Sequence, residues 1–164
     1  MFIIGICSFR NKKFPSCYFF EAADITGLSR FPQYLTLLFE IDALVLNDDR
    51  HLDNIAVIAR DSCFDYCPIF DQGAGLLSNV MYNPFEIIPK SLISQANARP
   101  FQTTFNRQIH TMESLYGNQL EISDFTRTQL AQMAEPMQEY YPARDRDLIA
   151  NRVCETVLVR QKCR

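Results

Sequence analysis

Residues 35–75 read LTLLFEIDALVLNDDRHLDNIAVIARDSCFDYCPIFDQGAG, and this stretch decides the fold. Its polar segment NDDRHLDN, residues 47–54, lies between two apolar runs. A segment this polar between two buried elements is expected to be held rigidly, and rigid loops on buried scaffolds often carry functional residues. A further short apolar run ends at Asp71, after which the chain turns at Gly73 and Gly75.

The apolar positions before the polar segment follow a helical period. Pro32 is typical of a helix start. From there apolar residues recur at steps of three and four, namely Tyr34, Leu37, Leu38, Ile41, Leu44 and Val45. Leu35, Phe39 and Leu46 occupy much of the remaining circumference, which predicts a helix buried nearly all round that ends near Leu46.

After the polar segment, the sequence predicts a β-hairpin. Ile55–Ala59 and Cys67–Phe70 are short and rich in β-branched or aromatic residues, and Arg60–Tyr66 would form the loop between them. Such a hairpin would bring Asp71 back beside the loop from Asp49 to Asn54.

The rest of the chain is predicted to be mainly helical, so the fold class is mainly α with a small β-hairpin. The predictions are a short strand within Met1–Cys7, a turn at Arg10–Lys13, a long irregular segment with one helical turn at Gly73–Ala98, and helices at Phe101–Tyr116, Ser123–Ala134 and Arg144–Cys163. Ser123 is the expected N-cap of the second of these helices.

Composition limits the function classes. The 164 residues fit one domain, and 48% hydrophobic with 21% charged residues is typical of a globular protein. The net charge of −3 argues against direct nucleic-acid binding. Met1–Phe9 is too short to span a bilayer and lacks the features of a signal peptide, so we expect no membrane partner. Six scattered cysteines without such a signal predict free thiols and a cytoplasmic location.

Asp49, Asn54 and Asp71 together suggest phosphoryl transfer. Carboxylate and amide oxygens are the ligands that Mg²⁺ prefers. One aspartate that orients an acceptor hydroxyl, followed by an asparagine and a second aspartate that hold metal ions, is the catalytic arrangement of kinases. The alternative is that these residues only cap helices and form turns, as Asp and Asn commonly do.

The string Asp49-Arg50-His51-x-x-Asn54, followed by Phe70-Asp71-x-Gly73, resembles the C-terminal lobe of HipA-like serine/threonine kinases. The resemblance covers about residues 31–160. It implies a protein-kinase-like C-terminal lobe at residues 31–164, preceded by an N-terminal segment at 1–30 that would be a remnant of the region between two lobes. It also implies Mg²⁺ and ATP as cofactors, Asp49 as the catalytic residue, and Asn54 and Asp71 as the residues that bind the metal and the cofactor.

The sequence departs from the family before the catalytic string. No Gly-rich phosphate loop precedes Asp49, and Lys12 and Lys13 fall in the predicted turn. We therefore expect an N-terminal lobe to be absent and the chain to be incomplete or inactive alone. Its expected partners are a protein substrate and a missing N-lobe or regulatory protein.

Two alternatives remain open. The chain could be a non-catalytic, partner-binding remnant of a kinase lobe. It could also be a lipid kinase lobe, because Asp-Arg-His-x-x-Asn is similar to the corresponding string of phosphoinositide kinases. A lipid kinase predicts a basic activation segment, and residues 76–104 contain only Lys90 and Arg99 as cations.

For the remaining polar residues of the loop the expectations are structural. We expect Arg50 to pair with a nearby acid, Asp48 and Asp53 to face solvent, and the side chain of His51 to hold the loop through hydrogen bonds.

Overall fold

A computed structural model gives the structure of the protein and describes residues 2–5, 23–77, 83–84 and 89–163. The described elements are β1 (Phe2–Gly5), α1 (Phe31–Val45), β2 (Ala56–Arg60), β3 (Cys63–Tyr66), α2 (Pro89–Gln95), α3 (Phe105–Tyr116), α4 (Arg127–Gln138) and α5 (Arg146–Arg160). Short 3₁₀ turns lie at Leu52–Asn54, Gly75–Leu77, Ala143–Asp145 and Gln161–Cys163. The fold is therefore mainly helical with a small antiparallel sheet, as predicted.

Helix α1 is the centre of the fold, and its prediction is confirmed. It begins beside Pro32 and ends where Leu46 adopts left-handed φ and ψ of 55° and 48°. It packs against α3 and α5. One core cluster joins α1 to the segment around β2 and to α3, through Phe31, Leu35, Leu38, Phe39, Ile55, Val57 and Met112. This burial fixes the direction in which α1 delivers the polar loop.

The sheet has three antiparallel strands in the order β1-β2-β3. Within the predicted strand Met1–Cys7, β1 pairs Phe2 with Ala59. The predicted second hairpin strand, Cys67–Phe70, is wrong, because the chain reverses at once through Asp61 and Ser62 and forms β3 at Cys63–Tyr66. Pro68 has no N–H to donate to a ladder, which disfavours a strand there.

The helix starts follow their capping residues. Helix α3 begins at Phe105 and not at Phe101, because the Thr104 hydroxyl accepts from the backbone N–H of Arg107. Helix α4 is capped by Thr126 and not by Ser123. There the side chains and backbones of Thr126 and Gln129 form a reciprocal capping box, which satisfies two otherwise unpaired N–H groups.

The segment from Gly73 to Ala98 contains more helix than expected. The described part includes the Gly75–Leu77 turn and the seven-residue α2. Gly75 packs so closely on α1 that an added Cβ would lie 3.3 Å from Val45 Cγ2.

Four free cysteines, Cys63, Cys67, Cys154 and Cys163, agree with the expected thiols. Cys7, Cys17 and the predicted turn at Arg10–Lys13 lie outside the described residues.

Helix α5 is tied to the core by buried arginine. Arg160 donates from Nε to the Ala43 carbonyl (2.7 Å) and from Nη1 to Asn106 Oδ1 (2.9 Å), and its guanidinium lies over the Phe105 ring. Burial lowers the pKa of Arg160.

Within the described ranges, no helix has both the length and the apolar composition that crossing a bilayer requires.

Glu40 links α1 to the chain after α3. Its buried carboxylate accepts from the backbone N–H of Gln119 through both oxygens (3.0 and 3.2 Å). Burial raises the pKa of Glu40, and these hydrogen bonds offset only part of the increase. The folded state therefore holds the Glu40 proton more tightly than the unfolded state does. Between the unfolded pKa near 4.5 and the higher folded pKa, this residue lowers stability as the pH rises.

We predict that Glu40→Gln removes this pH-dependent loss and keeps an acceptor for the Gln119 N–H. The free energy of unfolding, measured by urea denaturation from pH 4.5 to neutral pH, should fall less steeply for the variant than for the wild type. Glu121→Gln, at an exposed position in the following loop, is the control and should follow the wild-type slope. Parallel curves for Glu40→Gln and wild type would contradict the role assigned to Glu40.

Candidate functional site

The polar loop is built around a buried arginine. The side chain of Arg50 is 0% exposed and that of Asp42, on α1, is 1% exposed. Arg50 donates from Nε to Asp42 Oδ2 (2.8 Å) and from Nη2 to Asp42 Oδ1 (3.0 Å). The expected pairing of Arg50 with a nearby acid is thus confirmed, and the pair has the bidentate geometry of a strong charge-assisted contact.

The same arginine joins two parts of the chain at their backbones. Arg50 Nη1 donates to the carbonyl of Asn54 (2.8 Å) and to the carbonyl of Phe70 (2.8 Å). Both carbonyls therefore lie within hydrogen-bond distance of one nitrogen. This brings Asn54 next to the peptide that leads into Asp71, which is the proximity expected from the sequence.

Asn47 and Gln72 complete the buried network. Asn47 Nδ2 donates to Asp42 Oδ1 (2.9 Å) and to the Asp71 carbonyl (3.3 Å). With its amide oxygen turned towards Arg50, Gln72 accepts from Nη2 (2.7 Å) and donates to Asp42 Oδ1 (3.0 Å). Asp42 and Gln72 were not identified from the sequence. An acid within a mostly apolar helix, eight residues before Arg50, was the available signal for Asp42.

Asn54 has binding capacity that the protein does not use. Its side chain is 8% exposed, and Nδ2 has no hydrogen-bond partner among the described residues. An unpaired buried amide group costs about 1–3 kcal/mol. Nδ2 is a hydrogen-bond donor, so a metal ion at this position would be bound by the amide oxygen of Asn54.

Asp71 is exposed and held in an unusual backbone conformation. Its φ of 59° lies in the left-handed region, which non-glycine residues rarely adopt. Among the described residues its carboxylate has no hydrogen bond or ion pair, while its carbonyl is held by Asn47. Strain of this kind persists where the surroundings fix it and is common at functional sites.

The described residues contain no group of three or more His, Cys, Asp or Glu side chains that could hold a metal ion. A metal ion bound by Asn54 and Asp71 would have these two side chains as its protein ligands. Two protein ligands suit Mg²⁺, which usually keeps several waters and takes further oxygens from substrate phosphates.

Asp49 lies on the exposed side of the loop. Its side chain is 52% exposed, and Oδ1 accepts from Arg99 Nη1 at 2.7 Å. Arg99 was counted as a cation in the sequence but not as a site residue, because fifty positions separate it from Asp49. Asp48 does not face solvent as expected. It is half-buried, and this burial raises the pKa of its carboxyl, which the neighbouring charge of Asp49 raises further.

Of the remaining loop residues, Asp53 agrees with the expectation and His51 does not. Asp53 is exposed, as expected. The side chain of His51 does not hold the loop, because Nδ1 has no hydrogen-bond partner in the described part of the chain and lies 3.7 Å from Asp53 Oδ2. The backbone of His51 does so instead, since its N–H donates to the Asp49 carbonyl and its carbonyl accepts from Asn54.

No protein-family model, curated protein or solved structure matches this chain.

We predict that Asp42→Ala is strongly destabilising, because it leaves the charge of Arg50 buried without its partner. Breaking one side of a buried ion pair costs about 3–5 kcal/mol, a large part of the stability of an ordinary domain. Urea denaturation measures the loss. Asp49→Ala is the matched control, since it breaks an exposed Asp–Arg pair that is worth about 0–1 kcal/mol. Similar losses in the two variants would show that Arg50 does not organise the loop.

Proposed function

We propose that this chain is a kinase-type catalytic lobe that transfers phosphate from Mg²⁺-ATP to serine or threonine hydroxyls of a protein. One observation carries the proposal, namely that Arg50 Nη1 binds the carbonyls of both Asn54 and Phe70. It anchors the expected metal-binding asparagine beside the peptide that precedes the expected metal-binding aspartate.

In this proposal the three residues act by position and charge. Asn54 and Asp71 would hold Mg²⁺, which when bound would neutralise negative charge that develops during transfer. Asp49, on the same loop as Asn54, accepts the proton of the acceptor hydroxyl. Little covalent chemistry is required of the protein, so a rigid arrangement of a few side chains suffices.

The charge around the loop supports a cationic ligand. Asp42 neutralises the buried Arg50, so Arg50 leaves no net charge at the surface. The loop carries three further acids, Asp48, Asp49 and Asp53, and Asp71 follows Phe70. The exposed cation Arg99 pairs with Asp49. This surplus of negative charge favours a divalent metal, and it opposes the binding of a free phosphate compound without one.

We further propose that a second lobe or a regulatory protein raises the affinity for nucleotide. Kinases cover the ATP phosphates with a Gly-rich loop and a strand lysine. Before Asp49 this sequence has only Gly5 and Gly27 as glycines. A donor set supplied from elsewhere would complete the phosphate site, while Asn54 and Asp71 would bind Mg²⁺-ATP weakly by themselves.

A second candidate is a non-catalytic partner-binding domain. It is favoured by large apolar side chains exposed near the end of α4 and the start of α5, namely Met133, Met137, Tyr140 and Leu148. The two candidates differ in one property, because only the catalytic lobe requires binding of Mg²⁺ and ATP.

We predict that Mg²⁺-ATP raises the thermal stability of the wild-type chain and that Asp71→Asn abolishes this shift. A ligand that binds only the folded state stabilises it by about 2.7 kcal/mol at a hundredfold excess over its dissociation constant. The measurement is a thermal-shift titration with ATP in the presence of Mg²⁺, repeated with EDTA.

Asp61→Asn is the matched control for this titration. Asp61 is also exposed and also has a positive φ (37°), so the two substitutions change charge and backbone strain in the same way. It follows the far end of β2. The five residues of this strand, at a rise of about 3.3 Å per residue, separate it from the loop. Absence of a Mg²⁺-dependent shift in the wild type, or an equal shift in both variants, would refute the proposed metal site.

We also predict that Asp49→Ala lowers phosphoryl transfer by about 10²–10⁴-fold, the usual contribution of a general base. Transfer of labelled phosphate from Mg²⁺-ATP to a serine/threonine peptide library measures the rate. The free energy of unfolding should change by less than about 1 kcal/mol, because the Asp49 side chain is exposed. Undiminished transfer by this variant would remove Asp49 from the mechanism.

A further inference from the structure

We propose that Arg99 is a positioning residue that orients the Asp49 carboxylate towards the acceptor hydroxyl. The inference rests on the proposed function and deepens it, because it adds a residue that sequence spacing did not associate with the site. Its basis is the 2.7 Å contact from Arg99 Nη1 to Asp49 Oδ1, between side chains that are each 52% exposed.

The backbone of Arg99 is fixed by the fold. Its carbonyl accepts from Gln108 Nε2 (3.2 Å), and Gln108 lies on α3 with only 3% of its surface exposed. The preceding residue, Ala98, is fully buried and exchanges two backbone hydrogen bonds with Thr103 (2.7 and 3.2 Å). The guanidinium therefore extends from a rigid base and not from a free loop.

Asp49 needs such a partner. It lies on a turn, and half of its side chain is exposed, so its carboxylate could otherwise adopt several rotamers. A catalytic group must be held within about 0.5 Å of its productive geometry. Arg99 binds one carboxylate oxygen, and Oδ2 makes no hydrogen bond to the described residues. The fixed carboxylate thus keeps one oxygen free to accept a hydroxyl.

The different roles of Asp49 Oδ1, which binds Arg99, and Oδ2, which can accept a proton, match the chemistry of transfer. The acceptor oxygen forms a bond to the γ-phosphorus as the bond from that phosphorus to the bridging oxygen breaks, and ADP leaves with the electron pair. The proton of the acceptor moves to Asp49 Oδ2. Arg99 takes no part in these bond changes, and acts by holding Oδ1.

The geometry also predicts which substitution restores function. The contact uses one nitrogen of Arg99 and one oxygen of Asp49, and it is not bidentate. A lysine supplies a single positive charge with comparable reach, so Arg99→Lys should recover part of the effect that Arg99→Ala removes. The position therefore has a stricter requirement for charge than for guanidinium shape.

The test compares transfer of labelled phosphate from saturating Mg²⁺-ATP to a serine/threonine peptide library by wild type, Arg99→Ala and Arg99→Lys. We expect Arg99→Ala to lower kcat at least tenfold, to leave the KM for ATP within twofold of wild type, and to leave the Tm nearly unchanged. Arg99→Lys should recover a substantial part of kcat. Arg107→Ala, which removes an exposed arginine from α3, is the control and should match the wild type.

A kcat for Arg99→Ala that equals or exceeds that of the wild type would overturn this inference and leave the proposed function intact. A loss of kcat accompanied by an equal loss in Arg107→Ala would also overturn it, because general surface charge would then be the cause. Absence of transfer by the wild type would overturn this inference. If the Mg²⁺-dependent thermal shift on adding ATP is absent as well, the proposed function would be overturned with it.

Discussion

An arginine without exposed surface must give its N–H groups to protein acceptors, and this constraint determines the conformation around the candidate site. Arg50 meets it with the Asp42 carboxylate on α1 and with the carbonyls of Asn54 and Phe70. Removal of a guanidinium from water costs several kcal/mol, so an alternative loop conformation that loses these acceptors is strongly disfavoured. The charge pair thereby fixes three separate parts of the chain at once.

The sequence predicted the elements that depend on local pattern. The period of apolar residues was sufficient for α1, because a helix buried on nearly every side needs no tertiary information to be recognised. The hairpin was predicted only in part. The residues Phe64, Asp65 and Tyr66 alternate as a strand should, but the sequence-based prediction places them in the hairpin loop Arg60–Tyr66. Pro68 was the available signal against a strand at Cys67–Phe70.

The backbone proximity of Asn54 to the peptide before Asp71 was predictable, because a hairpin after the loop returns the chain towards it. The spacing and the family resemblance together predict Asn54 and Asp71 as metal ligands, and Arg50 binds the carbonyls of Asn54 and Phe70. Asp42 and Arg99 were missed for different reasons. Asp42 lies on a helix that is predicted from its apolar residues, and that pattern does not report the partners of its two acids, Glu40 and Asp42. Arg99 reaches Asp49 only because Gln108 and the Ala98–Thr103 bridge place it there, and no local pattern reports such a contact.

The two aspartate–arginine pairs of this loop differ in their exposure to dissolved ions. Mobile ions screen exposed charges over about 8 Å at physiological ionic strength, whereas they hardly reach a pair that is sealed from solvent. Salt should therefore weaken the contact between Asp49 and Arg99 while leaving that between Asp42 and Arg50 almost untouched. The scaffold of the loop and the orientation of its exposed carboxylate would then respond separately to the ionic composition of the surrounding solution.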